Sequence, residues 1–299
     1  MLDELNECKL CPKNCKVNRN NNKFGFCKAS NKVKIARAAL HYYEEPCISG
    51  NKGSGTIFFS CCNMKCVYCQ NYKISTKNYG KEVTIERLCE IFLELQEKGA
   101  LNINLVTPTP YVPQIIEALK LAKANGLNIP IVYNTSSYEN VETIKMLDGY
   151  VDIYLADVKY FDNNYGLKYS NVNNYFYHAS MAIDAMVSQI KENQFDENGI
   201  MKKGIIIRHM IIPGLSHDSK KILKYLYDKY KDKIYISIMN QYTPLEHVRD
   251  YPELNKTLTN DEYDDVVNYA IELGISNGFI QEGETASESF IPNFDNEGI

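Results

Sequence analysis

Tryptophan is absent from the 299 residues, histidine is scarce at five, and no apolar run approaches the ~20 residues that a membrane-crossing helix needs. The missing tryptophan, alongside richness in Asn, Lys, Ile and Tyr, reflects composition and carries no functional reading. His41, His178, His217 and His247 stand at no ligand spacing from one another, so they read as surface or packing residues. An excess of positive charge is also missing. The balance is 33 − 37 = −4, which removes any electrostatic case for a nucleic-acid partner. Met1-Leu-Asp-Glu4 is acidic and polar, unlike a secretory signal. A soluble, cytoplasmic protein with no membrane partner is therefore expected. Internal repeats are lacking, and the only low-complexity stretch is Asn18 to Lys23, read as a loop.

The length suits one large α/β domain with a small appendage. Residues 1–50 show little periodicity apart from Val33 to Leu40, and they read as a cysteine-organised N-terminal module. From about residue 51 to 299, apolar strand patterns alternate with helical ones. Strand candidates are 56–60, 102–107, 131–135, 151–157, 204–212 and 233–239. Ile85, Leu88, Phe92 and Leu95 form one helical stripe, closed by Gly99. Pro113 suits the first turn of a second helix that stops at Gly126, and Thr259-Asn-Asp-Glu262 has the form of a capping box. Six β-then-α units imply an α/β fold with parallel strands, right-handed crossovers and ligands at the carboxyl ends of the strands.

Ten cysteines would suggest disulfides in a secreted chain. Here they concentrate in the first third at ligand spacings, which favours metal in a reducing compartment. Cys62-Asn-Met-Lys-Cys66-Val-Tyr-Cys69 follows the apolar run Thr56 to Phe59 with spacing Cys-x3-Cys-x2-Cys. A cubane cluster takes four thiolates, so three leave one iron with an open position. This loop resembles the signature of the radical S-adenosylmethionine (SAM) enzymes, in which that iron chelates the amino and carboxylate groups of SAM. The resemblance implies a catalytic [4Fe-4S] cluster on Cys62, Cys66 and Cys69, with Tyr68 against adenine, on a partial (β/α)6 TIM-like barrel. A structural zinc loop is the alternative, although zinc sites usually pair cysteines two by two. Cys61 adjoins the set, either as a competing ligand or as a neighbour packed beneath it.

The remaining strand ends are polar. The second ends in Val106-Thr-Pro-Thr-Pro-Tyr111, where many radical SAM enzymes have a Gly-Gly-Glu-like segment holding the SAM amino group. Thr107 and Thr109 offer hydroxyls there but no carboxylate, and a Pro-stiffened loop is the plainer reading. Asn134 and Ser136 suit a ribose or carboxylate, or else a helix cap. Asp157 and Lys159 share a strand face, as an ion pair or, within the resemblance, as an Asp-x-Lys segment near SAM in glycyl-radical-activating enzymes. Arg208 and His209 alternate, so one faces inward; Arg208 there would neutralise the SAM carboxylate or a substrate acid. Asn240, Gln241 and Tyr242 either line a pocket floor or satisfy backbone groups.

Cys8-Lys-Leu-Cys-Pro-Lys-Asn-Cys15, Glu45-Pro-Cys-Ile-Ser-Gly50, Gly53 to Ser60, Val106 to Thr109, Met239 to Pro244 and Glu288 to Asp295 together resemble the pyruvate formate-lyase-activating-enzyme-like branch. That branch implies reductive SAM cleavage to a 5′-deoxyadenosyl radical and hydrogen abstraction from a protein glycine, a peptide or a small molecule. It also implies a reducing partner such as flavodoxin or ferredoxin. Cys8, Cys11, Cys15 and Cys27 form a second set of four that would close a zinc site or coordinate an auxiliary [4Fe-4S] cluster. Cys47 follows a proline near the module boundary, within reach of either set, and Cys89 falls beside the first helical stripe as a core residue. The rival from another class is a non-catalytic iron–sulfur or zinc protein, acting as an electron carrier or binding module.

Overall fold

A computed structural model describes residues 2–281 and 292–299. Among these residues, ten strands follow in chain order: β1 (Val33–His41), β2 (Ser54–Phe59), β3 (Lys81–Val83), β4 (Ile103–Val106), β5 (Ile131–Thr135), β6 (Ile153–Asp157), β7 (Gln194–Phe195), β8 (Met201–Met210), β9 (Tyr235–Met239) and β10 (Gly278–Ile280). Their spatial order is β10-β9-β8-β6-β5-β4-β2-β1-β3, with β7 hairpinned onto β8. β2, β4, β5, β6, β8, β9 and β10 run parallel, whereas β1 joins antiparallel to β2. Six of the parallel strands are those the apolar runs predict, and short β10 extends them. The sheet curls without closing, as a partial barrel does.

The helices are set by local chemistry. Ile85–Glu97 starts where Thr84 Oγ1 accepts from Arg87 N at 3.1 Å, and it buries Leu88, Phe92 and Leu95. Pro113 lies in the first turn of Val112–Ala124. Thr259 and Glu262 form the reciprocal capping box of Asn260–Glu272. The outward-facing strand residues Ile57, Leu105, Tyr133, Ala156 and Ile207 pack with Phe92, Ile115 and Leu226 of the helices in one continuous core, to which Cys89 belongs. Each such large side chain contributes roughly 1.5–3 kcal/mol on burial.

The inward face behaves differently. Register places Phe58, Val106, Asn134, Leu155 and Ile206 inside the barrel, with Asp157 opposite Arg208 and Arg208 opposite Ser237. Antiparallel β1 delivers the chain to the barrel's lower end, and Pro46–Ser49 then plugs it. Cys47 and Ile48 pack there among Val132, Ile153, Leu155, Met201 and Ile206. This corrects the expectation for Cys47, which is an apolar plug residue remote from ligand duty. Asn102 Nδ2 anchors the plug by donating to Ile48 O at 2.8 Å. A strand from the first 50 residues thus belongs to the same sheet as the barrel.

Truncating the plug leaves a cavity that the surrounding strands cannot collapse into. Ile48→Ala is expected to destabilise the chain by about 2–5 kcal/mol in denaturant unfolding under anaerobic conditions.

A candidate cofactor site at the barrel mouth

After β2 the chain turns sharply. Cys61 adopts the left-handed conformation at φ +73°, tied by its N–H to Ile74 O at 3.0 Å. Its side chain is buried in the outer core, in the same cluster as Tyr111. Cys61 therefore packs beneath the loop, and Cys62, Cys66 and Cys69 turn instead toward a cavity of about 460 Å³. Two tethers hold the loop: Asn63 Nδ2 donates to Tyr138 O at 2.7 Å, and Val67 N donates to Tyr169 O at 2.8 Å. Each thiol has a local donor. Met64 N reaches Cys62 Sγ at 3.4 Å, Ser170 Oγ reaches Cys66 Sγ at 2.9 Å, and Ser75 Oγ reaches Cys69 Sγ at 3.3 Å.

The three sulfurs feel one another. Burial raises all three thiol pKa values, Cys66 to about 11, and charge on one disfavours charge on the next: Cys66 on Cys62, Cys69 on Cys66, Cys62 on Cys69. Lys159 acts in the opposite sense on all three. Such a trio is matched to a cationic metal cluster, whose binding supplies the missing positive charge and expels the protons.

The opposite wall is a charged lattice. Arg208 donates through Nε to Asp157 at 2.8 Å, through Nη1 to Glu44 at 2.9 Å and through Nη2 to Asn134 at 2.7 Å. Lys159 Nζ meets Asp157 at 2.8 Å. Burial opposes charge on Asp157, yet Arg208 and then Lys159 hold its carboxyl below the usual range. Glu44 also accepts from Asn104 Nδ2 at 2.9 Å. Glu45, behind it, is pushed up to about 7 by burial despite Arg208. Thr107 and Ser136 also line the cavity, as do Met210, Met239 and Gln241. The lining thus carries two acids, Glu44 and Asp157, against two bases, Lys159 and Arg208, and their charges pair within the wall.

Among the expected cofactor residues, Tyr68, Thr107, Asn134, Ser136, Asp157, Lys159 and Arg208 border this one cavity. Thr109 is the correction. Its hydroxyl is turned into the protein, where it donates to Glu139 at 2.6 Å, because the backbone coils into a 3-10 turn at Thr109–Tyr111. His209 faces outward as alternation requires, bonded to Val158 O at 2.7 Å and Ser219 Oγ at 2.8 Å, and burial lowers its pKa to about 4. Tyr242 is spent on Leu254 O. Sequence reasoning missed Glu44 and Glu45. The signal was two successive carboxylates entering an apolar plug, hidden because the antiparallel course of β1 was not foreseen.

Cys8, Cys11 and Cys27 lie within electrostatic reach of one another, and burial pushes Cys27 up to about 11. Phe26 N donates to Cys15 Sγ at 3.4 Å, and a Cβ on Gly25 would stand 2.8 Å from that sulfur. Buried Arg19 reaches Cys8 Sγ at 3.9 Å and Pro110 O at 2.6 Å, tying this module to the loop after β4. Among the described residues, no three His, Cys, Asp or Glu side chains are drawn together as the ligands of a single ion would be.

Residues 56–226 match the Radical SAM superfamily. The chain belongs to that superfamily. Membership brings a [4Fe-4S] cluster and SAM, and reductive SAM cleavage as the shared chemistry. An uncharacterized protein of Methanocaldococcus jannaschii is 33% identical over 275 residues, spanning 89% of this chain and 73% of that one. The pyruvate formate-lyase-activating enzyme of Staphylococcus epidermidis is 23% identical over 180 residues, 56% of this chain and 65% of the relative. A radical SAM methyltransferase from Sphaerobacter thermophilus shares the fold, with TM-score 0.52 and 14% identity over 77% of this chain and 67% of that one. No described helix is long and apolar enough to cross a membrane.

Glu139, which holds Thr109, Thr135 and Tyr133, has its carboxyl pushed up to about 7 by burial. A pKa raised above the unfolded value gives stability that is full below pH ~4.5 and is lost as pH rises through 7. The stability advantage of the wild type over Glu139→Gln should shrink by on the order of 3 kcal/mol across that interval, read from denaturant midpoints at stepped pH.

Proposed function

We propose that Cys62, Cys66 and Cys69 hold the [4Fe-4S] cluster at the cavity floor, leaving one iron for SAM. The observation carrying this reading is that three buried thiols, within electrostatic reach of one another and each with its own donor, border one polar cavity. Loaded in this way, the cluster supplies the electron that cleaves SAM to methionine and a 5′-deoxyadenosyl radical. The chain's own residues prepare that site. Tyr68 offers an aromatic face for adenine, and Thr107, Asn134 and Ser136 offer polar groups for ribose or the amino-acid end. Asp157, Lys159 and Arg208 keep their charges through mutual pairing, and Lys159 is the cation best placed for the SAM carboxylate. Arg208, already shared between two carboxylates, works chiefly as the brace of the wall.

Hydrogen abstraction from a glycine on a protein partner is the substrate reading that the relatives named activating enzymes favour. A reductant of the flavodoxin or ferredoxin kind in the cytoplasm fits the same reading. Within residues 1–50, the segment ahead of β1 carries the metal-binding part of this proposal. Cys8, Cys11, Cys15 and Cys27 hold a zinc ion or an auxiliary cluster there, which locks the module by its binding energy.

After anaerobic reconstitution, SAM plus a strong reductant should yield 5′-deoxyadenosine, and Cys66→Ala should reduce the yield at least about a hundredfold. Equal yields from the two proteins would defeat the proposal and leave the electron-carrier reading. Metal analysis of a variant lacking Cys62, Cys66 and Cys69 should still find metal on the N-terminal four. A metal-free variant would remove the second site.

A further inference from the structure

Behind the cysteine loop, three buried hydroxyls form an unbroken chain that ends on a sulfur. Tyr68 OH lies 2.6 Å from Tyr160 OH, Tyr160 OH lies 2.7 Å from Ser170 Oγ, and Ser170 Oγ lies 2.9 Å from Cys66 Sγ. Tyr160 and Ser170 are wholly buried, and Tyr68 is nearly so. Ser170 closes the helix Asn163–Ser170, whose neighbouring carbonyl, Tyr169 O, takes the Val67 N–H of the loop, so the donor is held rigidly against its acceptor.

A proton count gives the chain a direction. Each hydroxyl has one proton to donate. When Cys66 is a thiolate ligand it can only accept, so Ser170 spends its proton on the sulfur. Ser170 must then accept from Tyr160, and Tyr160 from Tyr68. All three dipoles consequently point their positive ends toward Cys66. Hydrogen bonds to cluster sulfurs are among the factors that set an iron–sulfur potential, since they stabilise the added negative charge of the reduced form. The corresponding donor to Cys69, Ser75, is longer at 3.3 Å, and its hydroxyl neighbour is Thr76 Oγ1 at 3.5 Å.

We propose that Tyr160 and Ser170 are positioning residues that raise the reduction potential of the cluster through Cys66 while fixing the ring of Tyr68 in the cavity wall. The inference rests on the ligand reading given above. Only an electron enters from the external one-electron donor; the hydroxyl protons stay on their oxygens, and no bond in the chain breaks.

The test is a potentiometric titration of the reconstituted full chain, followed by electron paramagnetic resonance of the reduced cluster. Ser170→Ala should make reduction about tenfold less favourable, a midpoint about 59 mV more negative. Ser170→Thr, which keeps the hydroxyl, should restore the wild-type midpoint. Tyr160→Phe, which keeps the ring, should shift the midpoint in the same direction by less. A Ser170→Ala protein with full cluster content and the wild-type midpoint overturns the inference. If that variant fails to load, Tyr160→Phe decides: a negative shift supports the chain, and an unchanged midpoint refutes it. A wild type that binds no cluster overturns the underlying ligand reading instead.

Discussion

Three thiols crowded into a buried turn are electrostatically unfavourable as thiolates, and much of the neighbouring structure offsets that penalty. Burial and mutual repulsion both keep the protons on Cys62, Cys66 and Cys69. Against them work the Lys159 ammonium, the hydroxyls of Ser170 and Ser75, and a backbone N–H at Cys62. The loop can hold this arrangement because Asn63 and Val67 fasten it on both sides. A cationic cluster held on these thiols, as proposed, would relieve the repulsion that remains.

The rest of the cavity follows from where the first 50 residues travel. β1 runs against the barrel strands, so the chain reaches the bottom of the barrel and turns up inside it. That course carries Glu44 to Arg208, Asn104 and Asn134, and seats Cys47 and Ile48 as the plug. Arg208 is thereby fixed by three elements at once.

Much of this was legible in the chain. Six strands, three helix starts and the cysteine loop stand where apolar period, capping residues and ligand spacing put them, because each signal is local. Alternation required that only one of Arg208 and His209 face inward without saying which, and the structure makes it Arg208. Long-range placement was less readable. Thr109 looked like a strand-end ligand, but a 3-10 turn rotates it onto Glu139, thirty residues away. Glu44 drew no reading and Glu45 entered only in the family-like run Glu45 to Gly50, because only the sheet topology brings the two carboxylates inside. Ser170 and Tyr160 carried no sequence signal, as a buried hydroxyl chain has neither period nor spacing.

The central claim is that protein sulfur leaves one iron of the cluster open to SAM. The direct measurement is electron–nuclear double resonance on the anaerobically reduced cluster, using SAM labelled with 17O in its carboxylate and 15N in its amino group. The account predicts hyperfine coupling to both labels and a change in the cluster signal when SAM is added. A fully loaded cluster showing neither coupling, with its signal unaltered by SAM, would contradict it.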